Sequence, residues 1–127
     1  MPDNVIQLEL PFEEPKKRCI YIAGPMTGYE DFNFPAFFST AEAFEEGGWE
    51  TINPAAHDLE LWTDMEGVKK YANYRDCLGW DLEQICYSAD AIAMMPGWEA
   101  SKGARAEHAT AVALGLQIIY IADVTED

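Results

Sequence analysis

The residues of this sequence best suited to chemistry are two acids, Asp81 and Glu107. Glu107 follows Ser101 in a segment that leads from a predicted strand into a predicted helix, and Gly103 leaves little bulk between them. Asp81 lies on the helix predicted before that strand. Two carboxyl groups can divide nucleophilic attack and proton transfer between them when a glycosidic bond breaks. By type and spacing alone, each acid is about equally consistent with an ordinary solvated side chain.

The segment before Glu107 has the composition of an anion-binding helix start. Ser101 is a good N-cap residue, and the free N–H groups of the turn after it favour an anion. Gly97 and Trp98 precede it in the same loop. We therefore predict that Gly97, Trp98, Ser101 and Gly103 contact a ligand; the alternative is a capped helix with a solvated acid.

A second predicted ligand loop follows the first strand and reads Gly24, Pro25, Met26, Thr27, Gly28. Its two glycines and its hydroxyl would let backbone N–H groups approach a ligand. The loop lacks the spacing of a dinucleotide-binding motif and the lysine of a P-loop. A simple tight turn remains the alternative.

The other polar candidates favour structural roles. Asp90 begins the third predicted strand, where we expect it to bond backbone at the base of the sheet. His57 and His108 lack the spacing of metal-binding histidine pairs, so no metal site and no cofactor are predicted.

Composition narrows the ligand class. The chain has 8 Lys and Arg against 23 Asp and Glu, a formal charge of -15, which repels a nucleic acid polymer. A single mononucleotide is still allowed, because a few N–H groups and one cation can hold one phosphate. Three cysteines in no metal-type pairing indicate free thiols and a reducing compartment. With no apolar stretch long enough for a membrane span and no signal peptide pattern, we expect a cytoplasmic protein with no membrane contact.

The elements that must position these residues alternate between strand and helix. Strands are predicted at 19–23, 49–52, 89–95 and 116–122, and helices at 33–46, 69–88 and 101–114. Residues 55–68 lack clear periodicity and are interpreted as a long loop, and residues 1–18 as an arm before a domain at 19–127. The pattern predicts an α/β three-layer sandwich, flavodoxin- or Rossmann-like, with a four- to five-stranded, mainly parallel sheet. Ligands of such folds bind beyond the carboxyl ends of the strands, so the loops after the first three strands should converge.

Together, the run Cys-Ile-Tyr-Ile-Ala-Gly-Pro at 19–25, the 81–90 segment and Ser101-x-Gly-x-x-x-Glu107 resemble the nucleoside 2-deoxyribosyltransferase superfamily. That superfamily includes the 2′-deoxynucleoside 5′-monophosphate N-hydrolases, and the Pro-Gly-Trp at 96–98 looks most like a branch of small proteins common in phage and prophage genomes. The resemblance implies that Glu107 is the nucleophile, that Asp81 holds a sugar hydroxyl or transfers a proton to the base, and that Tyr21 positions the catalytic carboxylate. It also implies that Ser101 contacts phosphate, and that the protein is a homo-oligomer.

Two departures from the superfamily pattern concern the phosphate and the end of the chain. The first loop lacks the arginine of the phosphate-binding relatives, so Lys102 or Arg105 would have to replace it, or the ligand has no phosphate. The sequence also ends soon after the fourth strand, whereas family members complete the site with polar residues from the C-terminal part of a neighbouring subunit.

The sequence thus predicts cleavage or transfer at the N-glycosidic bond of a (deoxy)nucleoside or its 5′-monophosphate, through a covalent glycosyl-glutamate. The alternatives are a non-catalytic nucleotide-binding protein and a partner-binding protein that uses the arm at 1–18.

Overall fold

Four short segments form a parallel sheet in the order β2-β1-β3-β4. The computed structural model describes residues 16–62 and 73–123. The strands are β1 (Cys19–Ala23), β2 (Glu50–Ile52), β3 (Ala91–Met94) and β4 (Gln117–Tyr120). All neighbouring strands are parallel, with Ile20 paired to both Thr51 and Ala91. The predicted α/β class and parallel sheet are confirmed, with four strands in the described part of the chain.

Helices cover both faces of this sheet and make the outer layers of the sandwich. They are α1 (Phe34–Glu46), α2 (Pro54–Trp62), α3 (Tyr74–Tyr87) and α4 (Lys102–Leu114), with short 3-10 turns at Glu30–Asn33 and Trp98–Ala100. None of the helices in residues 16–62 and 73–123 is long and apolar enough to cross a membrane.

Alternation along the central strands divides the core into two halves. Ile20 and Ile22 of β1 pack with Phe37 of α1 on one face. Tyr21 points to the opposite face, where it packs with Ile85 of α3 and with residues of α4. Since side chains alternate across a strand, the position of Tyr21 in β1 directs its ring toward α3 and α4.

The order of the strands determines where the chain leaves room for a ligand. The connection from β1 leads outward to β2, and the connection from β3 leads outward to β4. In a doubly wound sheet this reversal opens a crevice beyond the carboxyl ends of the two central strands. The loops that follow β1 and β3 therefore flank the same space.

The prediction of a long loop at 55–68 is wrong for residues 55–62, which belong to α2. Asn53 starts this helix: its side-chain oxygen accepts from Ala55 N at 2.9 Å, and Pro54 occupies the first turn, where its missing N–H costs nothing. The buried positions of α2 include Ala55 and Asp58. A buried face made of a small residue and an acid leaves no apolar periodicity to detect. The other half, 63–68, lies outside the described residues.

Other predicted boundaries move by a few residues. Asn73 has extended backbone and caps α3 by accepting from Asp76 N at 2.7 Å, so this helix starts at residue 74 rather than 69. Residues 69–72 lie outside the described range. The predicted N-cap of α4 is confirmed, since Ser101 Oγ accepts from Ala104 N at 3.1 Å, and Gly115 ends the helix with a φ of 75°. Strands β2, β3 and β4 are each shorter than predicted.

Only the end of the predicted arm can be described. Residues 1–15 lie outside the described range, and 16–18 have no regular structure. Arg18 already contacts the domain: its carbonyl accepts from Glu50 N at 2.9 Å, and its guanidinium lies 4.9 Å from the Trp49 ring centroid. The arm therefore joins the sheet one residue before β1.

Candidate functional site

A cavity of about 640 Å³ opens at the carboxyl end of β1. Loops from three strands surround it, as expected for this fold. Of the predicted site residues, eight line it: Gly24, Pro25, Met26, Thr27, Asp81, Ser101, Gly103 and Glu107. The volume is within the range of pockets that hold small organic molecules.

Glu107 is the most buried acid of the cavity, at 5% exposure. It lies in the second turn of α4, below the small residues Gly103 and Ala104. The phenol of Tyr21 donates a hydrogen bond of 3.0 Å to Glu107 Oε2. The predicted positioning contact between Tyr21 and the acid is thus present, although Tyr21 is fully buried and does not line the cavity.

Asp81 faces Glu107 from α3, and the two carboxyl groups interact directly. Burial and the charge of Asp81 hold the pKa of Glu107 well above its usual range, while the Tyr21 hydrogen bond acts in the opposite direction. Burial also raises the pKa of Asp81, and hydrogen bonds from Glu107 and Tyr21 oppose that rise. Two neighbouring acids cannot both ionise without a large cost, so the pair resists the loss of its second proton. The contact between the two acids raises the pKa of Glu107 and lowers that of Asp81, which favours Glu107 as the site of that proton.

A third acid of the cavity, Asp58, was not predicted. It lines the cavity from α2 and is 8% exposed. Burial and the nearby charge of Asp81 raise its pKa to about 6. Asp58 lies in the segment interpreted as a loop, so nothing in the pattern placed it near the other two acids. The usable signal was Asn53-Pro54, a helix start directly after a strand.

Three of the predicted ligand residues do not line the cavity: Gly97, Trp98 and, in the first loop, Gly28. Gly97 has a φ of 89°, and a Cβ there would lie 2.7 Å from the Tyr29 hydroxyl, so this glycine makes room for Tyr29. Trp98 packs on His108 of α4, with ring centroids 4.3 Å apart. Neither lines the cavity, whereas Tyr29 does.

The glycines of the first loop have packing and turn roles of their own. A Cβ on Gly24 would approach the Met95 side chain to 2.9 Å, so close packing of the two loops requires glycine there. Gly28 has a φ of 88° and does not line the cavity, which fits a tight turn. The lining parts of this loop are therefore the side chains of Pro25, Met26 and Thr27 and the Gly24 backbone.

Aromatic side chains surround the mouth of the cavity. Tyr29, Phe32 and Tyr74 all line it and are about half exposed or more. Residues 31–33 have left-handed backbone, with φ of 53°, 54° and 62°, although none is glycine. The Asn33 side chain holds this turn by donating to Pro25 O at 2.9 Å. Strained backbone of this kind concentrates at functional sites.

The polar groups of the cavity suit proton transfer more than metal binding. Within residues 16–62 and 73–123, no group of three or more His, Cys, Asp or Glu side chains could hold a metal ion. Lys102, at the start of α4, adds a positive charge to the lining. Asp90 lies at the amino end of the central strands, opposite the cavity. Its Oδ2 accepts from Cys19 N at 2.8 Å, which confirms its predicted structural role.

A family model described as Domain of unknown function (DUF4406) matches residues 18–120. The match includes well over half of the chain, which therefore belongs to this family. No curated protein matches the chain. The matched range contains Tyr21, Asp58, Asp81 and Glu107, so all the acids of the cavity belong to the family domain.

Proposed function

We propose that this member of the DUF4406 family cleaves or transfers at the N-glycosidic bond of a (deoxy)nucleoside or its 5′-monophosphate. The observation that carries the proposal is the pair of interacting carboxyl groups, Asp81 and Glu107, in a ligand-sized cavity where burial raises the pKa of both. Breaking a C–N glycosidic bond needs one carboxylate at the anomeric carbon and one proton for the departing base. The pair contains both.

The first half of the reaction uses the shared proton. When substrate enters, the proton passes from Glu107 to Asp81 along their contact, which leaves Glu107 as a carboxylate. Glu107 then attacks the anomeric carbon, the C–N bond breaks, and the proton on Asp81 goes to the base nitrogen. The Tyr21 hydroxyl holds Glu107 Oε2 in place and stabilises its charged form.

The second half returns the enzyme to its starting state. In hydrolysis a water attacks the anomeric carbon, its proton goes to Asp81, and the bond to Glu107 breaks. In transfer a second base replaces the water and gives its N–H proton to Asp81. Both routes regenerate a pair with one proton, so the two outcomes differ only in the acceptor.

Several parts of the cavity fit a nucleoside. The half-exposed aromatic rings at its mouth suit a planar base, and Ser101 and Lys102 at the start of α4 suit a phosphate if one is present. The proposal also draws on the resemblance to the nucleoside 2-deoxyribosyltransferase superfamily. On that basis we propose that the protein binds a small molecule, forms a homo-oligomer and is located in the cytoplasm. The free thiols of Cys19, Cys77 and Cys86 are compatible with a reducing compartment.

The test is release of free base from a panel of nucleosides and their 5′-monophosphates, followed by chromatography. We expect wild-type protein to release base from at least one member, and Glu107→Ala to lower the rate by about 10³-fold or more. Glu83→Ala is the matched control, because Glu83 is an exposed acid of α3 outside the cavity. Equal release by Glu107→Ala and wild type would exclude this function.

Two further measurements distinguish the remaining alternatives. Saturable binding of a nucleotide without base release, unchanged in Glu107→Ala, would identify a non-catalytic nucleotide-binding protein. A competing free base added during turnover separates transfer, which yields a new nucleoside, from hydrolysis, which does not.

A further inference from the structure

The ring of Tyr29 is part of the cavity wall, and its hydroxyl end reaches a glycine outside the cavity. The ring lines the cavity, and 46% of the residue is exposed. A Cβ built on Gly97 would lie 2.7 Å from the Tyr29 hydroxyl oxygen, but 3.9 Å from the ring carbon that carries it. Of the Tyr29 side chain, the hydroxyl oxygen alone therefore occupies the space that a side chain at position 97 would need.

Hydrogen bonds fix the backbone on both sides of this contact. Tyr29 N donates to Met26 O at 3.1 Å, and Tyr29 O accepts from Phe32 N at 2.9 Å. On the other side, Gly97 O accepts from Ala100 N at 3.2 Å. Since neither backbone can move without losing a bond, a side chain at position 97 would have to turn the Tyr29 ring about its own torsions.

A displaced ring changes the cavity in either direction that is open to it. The Tyr29 ring is about half exposed and borders the cavity, so it can turn toward solvent or into the cavity. The first movement removes a surface from the ligand, and the second occupies the ligand's space. Gly97 is thus required for the wall that the ring provides, although Gly97 itself does not line the cavity.

A second tyrosine of the cavity mouth meets a glycine of the same segment. Tyr74, at the start of α3, lines the cavity, and a Cβ on Gly103 would lie 3.3 Å from its hydroxyl oxygen. A small shift can relieve that distance, unlike the 2.7 Å at Gly97. Residues 97–103 therefore receive two tyrosine hydroxyls, and the contact at Gly97 is the stricter of the two.

The left-handed backbone of Gly97, with a φ of 89°, would by itself also favour glycine. Gly48 provides the comparison: its φ is 97°, and apart from its chain neighbours nothing in the described part of the chain lies within 4 Å of a Cβ built on it. The two glycines thus share the backbone conformation and differ in the contact with a ring. An effect on ligand binding that is specific to Gly97 must come from that contact.

We propose that Gly97 is a positioning residue of the candidate site that acts through Tyr29. By leaving space for the Tyr29 hydroxyl, it keeps the ring in the cavity wall, where a nucleoside packs against it. This inference rests on the proposed function, since it takes the nucleoside as the ligand. It replaces the direct ligand contact predicted for Gly97 with an indirect one, and it adds a residue outside the cavity that sets substrate affinity.

The experiment is a double-mutant cycle of Gly97→Ala and Tyr29→Phe, measured as KM and kcat on the best substrate of the nucleoside panel. Gly97→Ala in wild type should raise KM by about 10- to 100-fold, the effect of misplacing a binding surface by about 1 Å. The change in kcat should be smaller, because the ring lies at the mouth rather than at the carboxyl pair. Added to Tyr29→Phe, the same change should raise KM by less than about 3-fold, since the hydroxyl is gone and the nearest ring carbon lies at 3.9 Å.

Urea unfolding and a control glycine separate this effect from backbone strain. Gly97→Ala and Gly48→Ala should both lower the free energy of unfolding, because alanine is strained at both φ values. Gly48→Ala should keep the wild-type KM, because Gly48 does not line the cavity and meets no ring. A wild-type KM in Gly97→Ala, or the same rise in KM with and without the Tyr29 hydroxyl, overturns the positioning role. If Gly97→Ala does not fold, Gly97→Asn replaces it in the cycle, since asparagine tolerates left-handed backbone better.

Crystal structures without ligand distinguish this proposal from the proposed function. The ring at position 29 should be displaced in Gly97→Ala and back in the cavity wall in the double variant. An unmoved ring overturns the role of Gly97 even where base is released. If the panel binds without base release, a displaced ring with a raised Kd by calorimetry supports Gly97 while the enzymatic function fails. Absence of both binding and release in wild type overturns both proposals.

Discussion

The acids at the two ends of the central strands differ in their hydrogen-bond partners and in their burial. At the amino end, Asp90 is exposed and accepts from the backbone of Cys19 at 2.8 Å. At the carboxyl end, Asp58 and Asp81 each have a buried oxygen without a donor in the described residues, and the pKa values of both are raised. An acid that the backbone already satisfies stabilises the fold, whereas an acid of the cavity with one unpaired oxygen still has room for a donor.

The largest expected contrast between the two ends is in turnover. Asp81→Asn removes the proton donor to the base, so kcat/KM should fall by about 10²- to 10⁴-fold on the best substrate of the nucleoside panel. Asp90→Asn should leave the rate at its wild-type value, because Asp90 lies at the amino end of the central strands, away from the cavity. A similar loss in both variants would mean that the position of an acid along the strands does not determine its role.

A smaller contrast concerns stability and pH at Asp58. Its pKa is raised from 3.8 to about 6, so the folded chain holds a proton there that the unfolded chain releases within this window. Asp58 therefore contributes a fall in the free energy of unfolding of wild type as pH rises from 3.8 to about 6, and Asp58→Asn removes this contribution. The variant should gain about 1–3 kcal/mol over wild type across the window, since one pKa unit corresponds to about 1.4 kcal/mol.

Urea unfolding on both sides of the window measures this gain. Glu60→Gln is the control for removing one negative charge from α2, and its difference from wild type should not vary in the same way. Parallel curves for wild type and Asp58→Asn would show that Asp58 is not held in its protonated form.

The smallest expected effect is at Asp90. Asp90→Ala removes the acceptor of the Cys19 N–H, so the free energy of unfolding should fall by about 1 kcal/mol. Urea unfolding compares it with Glu42→Ala, an exposed acid of α1. If the two variants lose the same amount, the bond at the base of the sheet does not stabilise the fold.

The periodicity of the chain was sufficient for the four strands and for three of the four helices of the described residues. The apolar run at 19–23 is observed as β1 with the same bounds, and Ser101 and Gly115 limit α4 as expected. Such features are local, because a strand's apolar run, an N-cap hydroxyl and a stopping glycine each act within a few residues. The helix α2 was missed because its buried face includes an acid, Asp58, which apolar periodicity does not report.

By itself the sequence determined the α/β order of elements, the capped start of α4 and the candidacy of Asp81 and Glu107. Only the tertiary structure decided that Tyr21 bonds Glu107, that Asp58 joins the two acids, and that Gly97 and Trp98 stand away from the cavity. The physical reason is the distance along the chain over which each effect acts. Propensities and caps depend on neighbours in the chain, whereas burial, missing donors and raised pKa values depend on groups that meet only when helices from different parts of the chain close around one end of the sheet.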